Sequence, residues 1–166
     1  MTATDFLGVE VCTLKGLVTF YILFFIDIAS RSVHIAGITP HPDNRWMTQI
    51  ARNVTDVSEG FLRDKQYLIL DRDTKYSDEF RSILVREGIN VVRLTRRSPN
   101  LNAFAERFVR SIKSECMNRM IFFGPASLRH AIRQYMTHYH YERNHQELDN
   151  RLLRPVATDF EGGVKN

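Results

Sequence analysis

Residues 17–28 read LVTFYILFFIDI. β-branched and aromatic side chains crowd this stretch, with no helical period and a single acid, Asp27, near its end. That is the pattern of a strand covered on both faces. On its N-terminal side, Leu14–Lys15–Gly16 reads as a turn, and Phe6 to Val11 as another strand. On its C-terminal side, Ala29–Ser30–Arg31–Ser32 is a tight connection into a third strand, Val33 to Ile38. Three strands joined this way form an antiparallel meander. The apolar run Leu17 to Ile26 falls far short of the roughly 20 residues that a membrane-spanning helix needs.

Further along, Pro40, Pro42 and Asp43 punctuate the chain. Trp46, Ile50 and Val54 then recur every four residues, so a helix starts near Asp43. Tyr67 to Leu70 is a fourth strand. Ser77 can cap a helix whose first turn holds Asp78 and Glu79, which suits the positive end of the helix dipole. Phe80, Ile83 and Leu84 face inward on it, and Gly88 ends it. Ile89 to Leu94 is a fifth strand. A basic polar loop, Thr95 to Asn100, leads to a helix from about Asn102 to Met120, and a last helix runs from about Ala126 to Tyr141. This order predicts an α/β fold: a mixed five-stranded sheet with helices on both faces.

The totals agree with one folded domain. The chain has 166 residues, 43% hydrophobic, enough for a core, and 25% charged. The net charge of +4 is a mild pointer to a polyanionic partner. Cys12 and Cys116 are the two cysteines, far apart and outside any CxxC or finger spacing. Both read as reduced core thiols of a cytosolic protein. The six histidines form no ligand pattern and read as core or surface residues. Met1 to Asp5 lacks the basic start and apolar run of a signal peptide.

Chemistry enters at residues 67–76, YLILDRDTKY, where a buried strand runs into Asp71 with Asp73 close behind. A lone acid there most often caps a turn. In open α/β sheets, however, sites gather at the carboxyl ends of strands. Asp71–Arg72–Asp73–Thr74 invites comparison with the D-x-D-x-T nucleophile motif of haloacid dehalogenase-type phosphatases, but the threonine comes one place early and the strand order does not fit. A third acid changes the weighing. Glu106 lies on the long helix, whose apolar side is Phe104, Ala105, Phe108, Val109 and Ile112, and it shares another face with Arg110 and Lys113. Taken alone, that face is a solvated charged surface. An acid at a strand end, a basic loop and an acid in the first turns of the next helix make a less ordinary combination.

These residues resemble the catalytic core of the DDE integrase/transposase superfamily, in particular bacterial insertion-sequence transposases of the retroviral-integrase-core type. The matching pieces are ATDFLGVEV, IASRSVHIAGIT, LILDRDTKYSDEF, GINVVRLTRRSPNLNAFAERFVRSIKSEC and YMTHYHYERNHQELDNRL, in the family's order over nearly the whole chain. The 34 residues from 72 to 105 that separate Asp71 from Glu106 are close to the family's spacing. The resemblance implies a ribonuclease H-like fold and an acid triad of Asp5, Asp71 and Glu106. Asp71 stands five before Tyr76 in the family's D-x-x-x-x-Y pattern, and Asp73 stands where relatives often have glycine. Near the end, His140 replaces an asparagine and Asn144 a proline of the family's H-Y-N-x-x-R-P-H run, at positions read as packing and turn positions.

By the same resemblance, residues 1–166 form one integrase catalytic core whose last ~20 residues are a C-terminal extension. The helix-turn-helix region that relatives carry ahead of the core is missing from this sequence. The implied activity is metal-dependent DNA strand transfer: water frees a 3′-hydroxyl, which then attacks target DNA. Two Mg²⁺ or Mn²⁺ ions would be held by Asp5, Asp71 and Glu106, because three converging carboxylates repel one another and hard cations neutralise them. Lys113 matches the lysine of the family's K-x-E run and lies about 10 Å along the helix axis from Glu106. With Arg110, Arg107, Arg96, Arg97 and Lys75 it could track phosphates without reading sequence. The implied partners are DNA, as element ends and target, and further copies of the chain. No membrane and no small-molecule cofactor are implied, and the setting is the bacterial cytoplasm at the nucleoid. Two other readings stay open: a remnant that only binds DNA or protein, and a nuclease acting on RNA–DNA hybrids.

Overall fold

The computed structural model describes residues 1–95 and 102–153, with side chains as far as residue 150. Its elements are β1 (Thr2–Thr13), β2 (Gly16–Asp27), β3 (Val33–Thr39), α1 (Asn44–Val54), β4 (Tyr67–Leu70), α2 (Asp78–Arg86), β5 (Asn90–Arg93), α3 (Ala103–Glu115), a 3₁₀ turn (Met117–Arg119), β6 (Phe122–Phe123) and α4 (Gly124–Leu153). The strand order is β3-β2-β1-β4-β5, with β6 also paired to β1. β1, β2 and β3 are antiparallel neighbours, whereas β4 runs parallel to β1, and β5 to β4. This is the α/β arrangement expected from the sequence, a mixed sheet of three antiparallel strands and two joined through helices. No helix of the described residues is long and apolar enough to cross a membrane.

The sheet separates two cores. On one face, Ala3, Leu7, Val9 and Val11 of β1 and alternate residues of β2 pack against Ala105, Phe108 and Ile112 of α3 and Leu128, Ile132 and Met136 of α4. On the other, Leu23, Phe25, Leu68 and Leu70 meet Met47, Ile50 and Val54 of α1 and Phe80, Ile83 and Leu84 of α2. Phe24 and Phe25, adjacent on β2, are each 0% exposed, one in each core, which is what a strand covered on both faces requires. Each such side chain contributes roughly 1.5–3 kcal/mol by leaving water. Asp43 and Ser77 cap α1 and α2 by accepting hydrogen bonds from the Trp46 and Phe80 amides. Gly37 is where α1 lies closest to the sheet. A Cβ there would stand 2.7 Å from the Trp46 ring and 3.0 Å from Ile50 Cδ1.

Five features differ from the sequence reading. A sixth strand, β6, joins the sheet through Val11 and Cys12. At two residues it is too short to carry a periodic signal. The helix expected to reach Met120 ends at Glu115, because Cys116 (φ −125°, ψ −65°) leaves helical geometry before the 3₁₀ turn. The last helix continues past Tyr141 to Leu153. Asn144, standing where relatives carry proline, lies inside that helix rather than at a turn, and without a proline nothing there breaks the backbone ladder. Cys116 is buried as expected, but Cys12 is only partly covered.

Candidate active site

The register of β1 and β4 brings the first two acids together. The strands pair in parallel at Thr2↔Leu68 and Ala3↔Ile69. Continued two residues, that register sets Asp5 level with Asp71, and parallel neighbours at one level point to the same face. Ala3, Leu7 and Ile69 belong to the core beneath α3, so Asp5 and Asp71 share the α3 face. β2 pairs with the whole length of β1, leaving the other edge of β1 to β4 at its start and to β6 at its end. Asp5 lies just past the point where β4 pairing stops. Glu106 sits exposed in the first turn of α3 on the same face, its amide donating to Asn102 O at 3.0 Å.

The electrostatics record this grouping. Asp5 is half-buried, and its carboxyl is raised from 3.8 to about 6. Burial is the main cause, and the charges of Asp71, Asp73 and Glu106 add to it. The Phe6 amide, donating to Asp5 Oδ1 at 2.8 Å, works in the opposite direction. A carboxylate lifted by like charges and burial is one that a cation would return to its ionised form. The donor set is all carboxylate oxygen, which suits Mg²⁺ or Mn²⁺. As the side chains stand, no three His, Cys, Asp or Glu residues among those described are close enough to enclose an ion. Carboxylates that repel one another relax apart unless a cation lies between them.

The turn after β4 is built from its own acids. The Asp73 amide donates to Asp71 Oδ1 at 2.9 Å, and the Lys75 amide to Asp73 Oδ1 at 2.9 Å. Lys75 Nζ closes an ion pair with Asp73 Oδ2 at 2.8 Å and lies 5.1 Å and 5.0 Å from the Phe6 and Tyr21 ring centres. Asp73 is therefore engaged by Lys75, and Lys75 is held back over two rings. Tyr76, 1% exposed, packs against Phe6 and Phe80. Its hydroxyl lies near Thr4 without a well-formed hydrogen bond. Burial, followed by the charge of Asp5, pushes its pKa well above the ordinary value, so it stays neutral. The D-x-x-x-x-Y pattern marked this residue as an alignment point and gave no sign that its buried hydroxyl feels the charge of the acids.

The expected DNA contacts divide. Arg110 and Lys113 are exposed on the Glu106 side of α3. Arg107 is exposed too, but turns toward Phe104, 6.0 Å from that ring. Arg96 and Arg97 lie outside the described residues. Asp27, the acid at the end of β2, is 7% exposed and accepts from Lys65 Nζ at 2.8 Å and Ser30 Oγ at 2.9 Å. Burial raises its pKa, but these partners, Lys65 first, bring it below the ordinary value.

Residues 87–152, which contain β5, α3 and nearly all of α4, match the family model described as integrase core domain. No curated protein matches the chain. Among solved structures, it is similar to a chain in the cryo-electron microscopy structure of the simian T-cell lymphotropic virus intasome in complex with PP2A regulatory subunit B56 gamma. The identity is 14% and the TM-score 0.48, over 68% of this chain and 38% of that one. The match thus spans well under half of that chain.

Proposed function

From the integrase-core match over residues 87–152, we propose that this chain is the catalytic core of a DDE-type polynucleotidyl transferase that cuts and joins DNA. The observation that carries the reading is the grouping of acids around Asp5, whose carboxyl is raised to about 6 by burial and by Asp71, Asp73 and Glu106. Asp5, Asp71 and Glu106 are the residues assigned to hold two divalent cations. Bound there, Mg²⁺ or Mn²⁺ supplies a Lewis acid for the attacking hydroxyl and for the leaving oxygen of the phosphodiester. Asp5 gives up its proton above about pH 6 and becomes a full anion for that role. Asp73 stays with Lys75, which leaves Asp71 as the acid of this turn that serves the site. Tyr76 remains neutral and adds no further negative charge. Arg110 and Lys113, exposed beside Glu106, receive the DNA backbone, with Arg96 and Arg97, earlier in the sequence, as further phosphate contacts. Assembly of several copies on DNA belongs to the same proposal.

The test is incubation of the full chain with supercoiled plasmid. Nicked or joined products that need Mg²⁺ or Mn²⁺, and that vanish in Asp71→Asn and Glu106→Gln, are expected. Products that persist in Glu106→Gln, or that form in excess chelator, overturn the assignment. DNA binding without any product in either metal favours a binding-only remnant. Cleavage confined to RNA–DNA hybrids, without joining, favours a nuclease.

A further inference from the structure

The turn between β2 and β3 is held more firmly than a connection needs. Arg31 adopts φ +61°, and among the described residues it is the one non-glycine at positive φ. That conformation disfavours any residue with a Cβ and suits glycine or asparagine. The surroundings fix it from several sides. The Arg31 amide donates to Asp27 O at 2.8 Å, and the Asp27 amide to Ser32 O at 2.9 Å. From α4, the Tyr139 hydroxyl donates to Arg31 O at 3.1 Å, Arg143 donates to Ser30 O, and His140 Nε2 accepts the Val33 amide at 3.3 Å. Strain kept in place by so many contacts points to a use for the side chain it presents.

That side chain reaches α3. The Arg31 guanidinium carbon lies 3.8 Å from the centre of the Phe104 ring, a close cation–π stack. Among the described residues Arg31 forms no ion pair with a carboxylate. Phe104 is in the first turn of α3, two residues before Glu106. At about 100° per residue it lies on the flank opposite Glu106 and Lys113. The contact therefore does not touch the acids; it braces their helix from behind. The brace matters because, among the described residues, the start of α3 lacks a side-chain cap. Asn102 makes no side-chain cap bond, and its buried Oδ1 has no partner.

We propose that Arg31 is a positioning residue for Glu106: stacked on Phe104, it fixes the first turn of α3 and so the place of the third carboxylate. This rests on the reading of Glu106 as a member of the site. The stack explains why arginine occupies a backbone position that glycine would fit with less strain. An ammonium group has no plane to stack, so lysine does not replace it.

The experiment compares the full-length parent chain with Arg31→Gly and Arg31→Lys. It reads thermal stability, amide exchange across residues 103–107, DNA affinity in chelator, and Mn²⁺-dependent nicking of supercoiled plasmid. For Arg31→Gly the expected result is a Tm equal to or above that of the parent, faster exchange at 103–107, unchanged DNA affinity and nicking slowed by about tenfold to a hundredfold. Arg31→Lys behaves the same way in exchange and nicking. Unaltered exchange at 103–107, nicking at the parent rate, or a fall in Tm that accounts for the lost nicking overturns the inference. A parent that does not nick, with Glu106→Gln equally silent, overturns the proposed function instead. The exchange measurement then decides whether Arg31 holds the turn.

Discussion

Replacing Asp5 with asparagine should stabilise the metal-free protein at neutral pH, although Asp5 is the acid most embedded in the site. Its carboxyl ionises near 6 in the folded chain, against 3.8 when unperturbed. The folded state thus holds this proton more tightly than the unfolded state, and stability falls as pH rises from about 3.8 through about 6. Above that window the cost is complete. A shift of about two units corresponds to about 3 kcal/mol. Water reaching this half-buried carboxylate screens it, leaving about 1–2 kcal/mol. The assay is urea denaturation of both proteins in chelator between pH 4 and 8, read as the difference between them so that other titrating groups cancel. Asp5→Asn should be the more stable by about 1–2 kcal/mol at pH 7, and the gap should close toward pH 4. Added Mn²⁺ should stabilise the parent and leave Asp5→Asn nearly unmoved. An Asp5→Asn protein less stable than the parent at pH 7 without metal would refute the reasoning, because the carboxylate would then be stabilising the fold.

Other predictions probe the frame around the site. Gly37→Ala forces a methyl against Trp46 and Ile50 and should cost about 1–3 kcal/mol in denaturant unfolding. Lys65→Met removes the partner that holds the Asp27 carboxyl below its ordinary value. Asp27 contributes stability at neutral pH that is lost as pH falls through its folded pKa, so the variant should be destabilised at pH 7 and converge with the parent in acid. Asp73→Asn should keep metal-dependent nicking within about an order of magnitude of the parent, whereas Asp71→Asn should abolish it. Equal losses in a side-by-side plasmid assay would place Asp73 among the ligands.

Much of the frame was legible because local signals and tertiary need agreed. LVTFYILFFIDI could satisfy its side chains only between two layers, and Asp43 and Ser77 mark helix starts through bonds they make within their own turns. Tyr67–Leu70 is a strand with the bounds read from sequence. The misses are places where distant partners decide. The first strand reads from Phe6 in the sequence, but it begins at Thr2, and Thr2 and Thr4 are both 0% exposed because β1 is flanked by β2 and β4. β6 exists because the end of β1 has a free edge, which nothing in Phe122–Phe123 announces. At the site, the three proposed acids come from motif order, and the β1–β4 register, continued two residues, sets two of them level. The Lys75–Asp73 pairing and the Arg31–Phe104 stack depend on side-chain reach across elements, which spacing along the chain does not encode.

The measurement that bears most directly on the central claim is a crystal structure of the chain soaked in Mn²⁺, with anomalous scattering used to locate the ion. The account predicts anomalous density between the Asp5 and Asp71 carboxylates, with Glu106 turned toward it. Ordered crystals without density there, or Mn²⁺ held by Asp73 or a histidine instead, would contradict it.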